Sequence, residues 1–205
     1  MDTTIGAIYN SYEDKELIAK KKEYLDYINE HKNNVLISFQ TLFQSLIYRD
    51  FQLDTDLFSI DELKQAIISL RDNSDIVNHD NSKYSDEEFE FYRIKFFPTT
   101  KEKSAISTDE DISRLIDDAF EEAWKHHYES NDHHPKYWIH NNKINDMSLS
   151  AIIHMICDWN AMSIKFKSSV LNWYNDKAEE EKSQLSDNSK KIVEFLLHLE
   201  LLNIK

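Results

Sequence analysis

One glycine, Gly6, and two prolines, Pro98 and Pro135, in 205 residues leave this chain few ways to turn tightly. Antiparallel sheets need frequent turns made from Gly, Pro and other residues that accept unusual backbone angles. A chain this poor in them is expected to be all-α. A length of 205 residues suits one well-buried domain and is short for two large ones. Residues 1–205 are therefore read as a single helical bundle, with its core over about 14–175 and a packing helix at about 187–203. A single glycine also excludes the glycine-rich loops that cradle phosphates in P-loop and dinucleotide-binding proteins.

Charge narrows the partners. A formal net charge of −14 repels nucleic-acid phosphates, so long nucleic acid is not an expected ligand. Small phosphorylated substrates stay open, because a bound metal ion supplies local positive charge. Cys157 is the only cysteine, which excludes an intramolecular disulfide and a cysteine-based zinc cluster. No basic and apolar leader opens the sequence and no apolar run reaches membrane-spanning length, so a cytoplasmic protein without a membrane partner is expected.

Helical periodicity dominates the chain. Over about 13–46, Ile28, Val35, Phe39, Leu42 and Leu46 recur at helical steps, with a break expected near 32–34. His31 lies on that stripe, three residues after Ile28 and four before Val35. Ser59 with Glu62, and Ser85 with Glu88, read as capping boxes opening two further helices, the second stopping at Pro98. Residues 99–107 read as an exposed loop. Thr108 or Asp109 caps a helix to about 130, whose inner face runs Ile112, Ile116, Ala119, Ala123 and His127. Residues 132–145, with Pro135 and three Asn, read as irregular. Ser148 caps a helix to about 164 that puts Ala151, Met155, Asp158 and Met162 on one face, with His154 one turn before Asp158. Trp173 and Tyr174 fall in a short segment after it. The leucine-rich last helix either completes the core or pairs two copies of the chain.

His79-Asp80 is the motif on which a functional reading turns. Adjacent imidazole and carboxylate both ligate divalent metals, and together they suit Zn, Mn, Fe or Mg. Alone, the dipeptide is weak, as are His126-His127 and His133-His134. A single His on an apolar stripe is usually a hydrogen-bonded core residue, and a buried Asp usually pairs with Lys or Arg. The coincidence carries more: His31, His127 and Asp158 each fall on the inward face of a different predicted helix. Three inward residues of metal-ligand type need one another, or an ion, to offset their desolvation.

The order His31, His79-Asp80, Asp158 resembles the HD superfamily of metal-dependent phosphohydrolases. Asn78 to Lys83 is similar to the His-Asp-x-x-Lys form of its cyclic-di-GMP phosphodiesterase branch, which also carries extra His ligands before the last Asp. The Gly-Tyr-Pro signature of that branch is missing, so its activity is not assigned. Closer still is the likeness to a family of uncharacterised bacterial and phage proteins, over about 24–175. It rests on His31-Lys32, His79-Asp80-x-Ser82-Lys83-Tyr84-Ser85, Glu88-Phe89, Ala123-Trp124, His127, Asn131, His133-His134, Tyr137-Trp138, Met155-Ile156-Cys157-Asp158-Trp159 and Ala161-Met162. His154 stands where relatives are expected to have Glu. That family has no activity to carry over.

The HD resemblance implies one or two divalent ions (Mn, Fe, Mg, Zn or Co) in a helical bundle, lowering the pKa of a bound water and polarising a phosphoryl oxygen. It implies His31, His79, Asp80 and Asp158 at a first ion, and His127, His133 and His134 at a second ion or against phosphate. Asp80 is the natural bridge. Lys83 is either a phosphate handle or a surface lysine, His154 orients Asp158 or shuttles a proton, and Asn131 holds His127 in one tautomer. Hydrolysis of a small phosphorylated substrate, a nucleotide above all, is the expected activity. Trp124, Trp138 and Tyr137 either stack a base or pack in the core. Two other classes use the same residues: a di-iron oxygenase, and a non-catalytic, metal-stabilised nucleotide-binding protein.

Overall fold

A computed structural model of the chain describes residues 2–48 and 55–199, and for residues 2–14 the backbone alone. The fold is all-α. In chain order the helices are α1 (Asp2–Tyr48), α2 (Ile60–Asp72), α3 (Phe89–Phe96), α4 (Thr100–Thr108), α5 (Glu110–Ser130), α6 (Leu149–Phe166), α7 (Val170–Lys177), α8 (Glu179–Ser183) and α9 (Asp187–His198). Between α5 and α6 lie a 3-10 turn, Pro135–Trp138, and a hairpin of β1 (Ile139–His140) and β2 (Lys143–Ile144). Asn141 and Asn142 turn that hairpin with φ of 52° and 61°. Asn tolerates this left-handed region better than most residues, so it does the work glycine does elsewhere.

The chain separates into two compact units. The first joins the part of α1 up to Glu30 to residues 81–127, and the second joins residues from His31 to Asp80 to those from Tyr128 onward.

The first unit is held by aromatic packing. Tyr24, Ile28, Tyr92 and Ala123 are buried together, with Phe89, Phe97, Phe120 and Trp124 packed around them. Tyr24 lies 5.1 Å from the Phe89 ring, and Tyr92 meets Phe120 edge-on at the same distance. Such offset and edge contacts add to the area these rings bury. Two expectations fail here. Residues 99–107 are not a loop: Thr99 and Glu102 form a full capping box, which starts α4. Glu102 also takes a two-pronged grip from the buried Arg93, at 2.6 and 2.7 Å. Nor do Ser85 and Glu88 form a capping box, because Glu88 opens α3 without capping it and turns its side chain inward. The apolar stripe of α5 is also shorter than its sequence suggests. Ala123 and His127 are buried, whereas Ile112 is exposed.

The second unit wraps α6. Ten of its residues are buried, on nearly every side, so it reads as a central helix rather than an amphipathic one. It packs against α2, α7 and α9. Ser148 caps it as expected, and Ser189 of α9 accepts a hydrogen bond from the Met147 amide at 2.9 Å. From α1, Val35, Phe39, Leu42 and Leu46 join this core, and Ser38 meets Asn160 at 2.9 Å. The break expected near 32–34 is absent, and α1 continues through it. Trp173 and Tyr174 belong to α7. The core runs past 175 through Leu185, Ile192, Val193, Leu196 and Leu197, so α9 buries its apolar face within the unit. The last residues expected in that helix, 200–203, lie outside the described residues.

Candidate metal centre

Four segments of the second unit converge on one point. The first is α1, where His31 is buried on the same stripe as Val35. The second is the turn after α2. The capping box of Ser59 and Glu62 fixes the start of that helix, and buried Ile76 anchors the turn beyond it. His79 and Asp80 follow, both buried, and Asp80 adopts a φ of 54°. A non-glycine residue in this region costs energy, tolerated where surroundings fix the carboxylate's direction. The third is the turn closed by the His134 amide on the Asn131 carbonyl, which carries His133 and His134. The fourth is α6, with His154 and Asp158 one turn apart.

The distances describe a polyhedron. His31 Nε2 lies 3.0 Å from His79 Nε2 and 2.9 Å from Asp158 Oδ1. His79 Nε2 lies 3.3 Å from Asp80 Oδ2 and 3.6 Å from Asp158 Oδ1, and His31 Nε2 lies 3.8 Å from Asp80 Oδ2. Ligands about 2.1 Å from a central ion stand about 3.0–3.4 Å apart in octahedral or tetrahedral arrangement. These spacings cluster around that range. On the far side of Asp80, its Oδ1 lies 3.4 Å from His133 Nε2, a buried atom with no hydrogen bond among the described residues. His133, His134 and Asp158 also bring ligand atoms within 4.8 Å of one another.

The chemistry of the donors points the same way. Burial pushes the His79 imidazole down to about 4, against the pull of Asp80 and Asp158. Burial likewise holds His154 well below its ordinary value, with the charges of His133 and His79 adding to the effect. Both rings are therefore neutral near pH 7 and offer lone pairs. Burial alone would raise the Asp158 carboxyl, but the His31 hydrogen bond and the nearby imidazoles outweigh it and hold the group ionised, far below the usual range. The carboxylates of Asp80 and Asp158 and the two neutral imidazoles of His79 and His154 turn lone pairs inward. A divalent cation balances such a set, and these buried His and Asp groups can hold one.

His154 takes a different place from the one expected. Its Nε2 lies 3.0 Å from His79 Nδ1, so it orients His79 rather than Asp158. With His79 Nδ1–H donating, His79 Nε2 keeps its lone pair for the cluster, as a ligand-orienting partner requires. Lys32, next to His31, sits near enough to feel the Asp80 charge, while partial burial lowers its pKa. Cys157 faces the core, where burial pushes its thiol up to about 12, outside the range of a working nucleophile.

Other expected residues fall in the first unit. His127 is buried there, with Nδ1 2.9 Å from Glu88 Oε2, while His126 Nδ1 meets the other oxygen at 2.8 Å. Glu88 thus holds two imidazoles, and those bonds keep its carboxyl ionised despite burial. Glu88 is thus a partner of His127 that the sequence reading did not offer. Ser82 also approaches His127 at Nδ1, 3.1 Å away. One ring nitrogen facing both groups is not a Ser-His-Glu relay, which needs both nitrogens. Lys83 lays its ammonium 5.8 Å above the Tyr92 ring. Trp124 stacks on His127 within the aromatic core.

Asn131 remains in the second unit. It lines a cleft of about 360 Å³ with Asp75, Asn78, Asp132 and Tyr137, and His79, His133 and His154 form part of its wall. Glu88 and Tyr137 are the residues whose place sequence reasoning did not settle. The spacing of Glu88 from Ser85 imitates a helix cap, and only its position opposite two consecutive histidines reveals its partners.

A model of a family described as "Family of unknown function (DUF5662)" matches residues 20–199. No curated protein and no solved structure matches the chain.

Proposed function

We propose, for a chain that belongs to the DUF5662 family and inherits no activity from it, that the second unit is a metal-dependent phosphohydrolase centre of HD type. Its substrate is a small phosphorylated molecule of nucleotide class. The observation that carries this reading is the meeting of His31, His79, Asp80 and Asp158 from three separate segments at ligand spacing. A mixed set of imidazole and carboxylate suits Mn, Fe, Co or Zn better than it suits Ca. Asp80, with one oxygen toward His79 and the other toward His133, would be the carboxylate shared between two ions, were two bound.

A bound ion held by His31, His79, Asp80 and Asp158 would supply Lewis acidity toward a phosphoryl oxygen and lower the pKa of a water. The protein supplies the rest. Asp80 and Asp158 offset the cation's charge, His154 keeps the His79 lone pair directed inward, and the left-handed backbone at Asp80 fixes the carboxylate. The cleft beside His133 and His154 admits the phosphate end of a substrate.

The test strips the full chain with chelator and reloads it separately with Mn, Fe, Mg, Zn and Co. Phosphate release and product formation are then followed over a nucleotide panel. We expect turnover with at least one metal and its loss in Asp80→Ala. A fully loaded protein that turns over no nucleotide with any metal overturns the hydrolase. Oxygen consumption by the iron form without phosphate release would make the centre an oxygenase instead.

A further inference from the structure

Tyr137 lines two cavities. One is the cleft of about 360 Å³ that opens on His79, His133 and His154. The other, about 530 Å³, is walled by Tyr128, Tyr137 and Ile139, with Lys136, Glu129 and His140 at its edges. The second volume lies within the roughly 300–1,000 Å³ typical of small-molecule sites.

Its chemistry is specific. Two phenol rings and an aliphatic side chain offer apolar faces. The Lys136 ammonium lies 5.7 Å above the Tyr128 ring, and the Tyr137 and His140 rings stand 6.4 Å apart at 69°. Aromatic walls of this kind bind planar rings by stacking, with little regard to which ring. Lys136 and Glu129 add a donor and an acceptor to the lining, suited to the polar edge of such a ring.

The wall is also fixed before anything binds. Pro135 is buried and opens the 3-10 turn that carries Lys136 and Tyr137. Trp138 Nε1 donates to the Asp132 carbonyl at 2.7 Å, and Asn145 Nδ2 donates to the Trp138 carbonyl at 2.9 Å. The Asn141-Asn142 hairpin closes the segment. A ring entering here orders little that is not already ordered, which favours affinity.

We infer that this cavity is the subsite for the base of a nucleotide, held between Tyr128 and Tyr137 while the phosphate end lies in the cleft beside His133. The place of the phosphate rests on the metal-centre reading above, and the ring subsite does not.

The experiment keeps the two apart. Adenosine and cytidine, which carry no phosphate, are titrated into chelator-treated full-length protein while the ring signals of Tyr128 and Tyr137 and the methyl signals of Ile139 are followed by NMR. We expect saturable shifts at all three residues for at least one nucleoside. Tyr128→Ala should weaken that nucleoside at least fivefold, and Tyr128→Phe, which keeps the ring, less than twofold. In Mn-loaded protein, adenosine 5′-monophosphate should bind at least tenfold more tightly than ribose 5-phosphate, and Tyr128→Ala should erase that margin while leaving the Mn content unchanged. If neither nucleoside moves these signals, or if Tyr128→Ala and Tyr128→Phe behave alike, the subsite is overturned whatever the metal does. If a nucleoside binds but the protein retains no metal, the subsite stands and the hydrolase reading falls.

Discussion

At the scale of single residues, the chemistry lies in side chains that would be costly to bury one at a time. His79 has both ring nitrogens engaged, Nε2 toward His31 and the carboxylates and Nδ1 toward His154. Removing an orienting partner of a metal ligand commonly costs ten- to a hundredfold in affinity. His154→Ala should therefore bind Mn or Zn about 10–100-fold more weakly while keeping the wild-type stoichiometry, as calorimetric titration would read. A variant with wild-type affinity would make His154 a packing residue. His31 and Asp158 could be named from sequence because their types are unusual on apolar helix faces, and His79-Asp80 because adjacent imidazole and carboxylate form a motif. Glu88 could not: its spacing from Ser85 signals a cap, and its inward turn depends on His126 and His127, 38 and 39 residues away in sequence.

At the scale of elements, caps decided where the sequence reading succeeded. Ser59, Asp109 and Ser148 each accept a hydrogen bond from the first turn of the helix predicted to follow them. The helix missed was α4, whose composition of Lys, Ser and Thr carries no apolar period. It is held by the Thr99–Glu102 box and the Arg93 grip, and a buried guanidinium nine residues upstream is a tertiary fact. The hydrogen bonds from Arg93, with those from Thr99, hold the Glu102 carboxyl down to about 2. Its folded pKa lies below the unfolded value of 4.5, so its stabilisation is full above about pH 4.5. It fades as the pH falls toward about 2. Glu102→Gln should accordingly lower the urea midpoint clearly at pH 6, and the gap to wild type should narrow at pH 2.5. A gap that stays constant with pH would show that the carboxylate charge contributes nothing.

At the scale of the whole molecule, a metal centre would link ion binding to stability. An ion that binds the folded chain and not the unfolded one adds about 2.7 kcal/mol at a free concentration a hundredfold above its Kd. Scanning calorimetry of chelator-treated and Mn-reloaded protein should show Tm rising by several degrees on loading, with Asp158→Asn showing little rise. Equal Tm in both forms of the wild type would argue against a centre built by His31, His79, Asp80 and Asp158. The last helix contributes to the core: Ile192, Val193, Leu196 and Leu197 of α9 lie in the cluster around α6. Among the described residues no helix is long and apolar enough to cross a membrane.

The sequence by itself determined the helical class, through its near lack of glycine and proline, and the starts of α2, α5 and α6, through caps that act within one turn. It also marked His31 and Asp158, because polar residues on apolar stripes stand out in a local pattern, and His79-Asp80, because the adjacent pair is itself a ligand motif. Tertiary structure alone decided who meets whom. It turned His154 to His79 instead of Asp158, gave His127 to Glu88, laid Lys83 over Tyr92 and set Tyr137 between two cavities. The reason is range: periodicity and capping act over three or four residues, whereas the partner of a buried polar group is fixed by segments far apart in the chain.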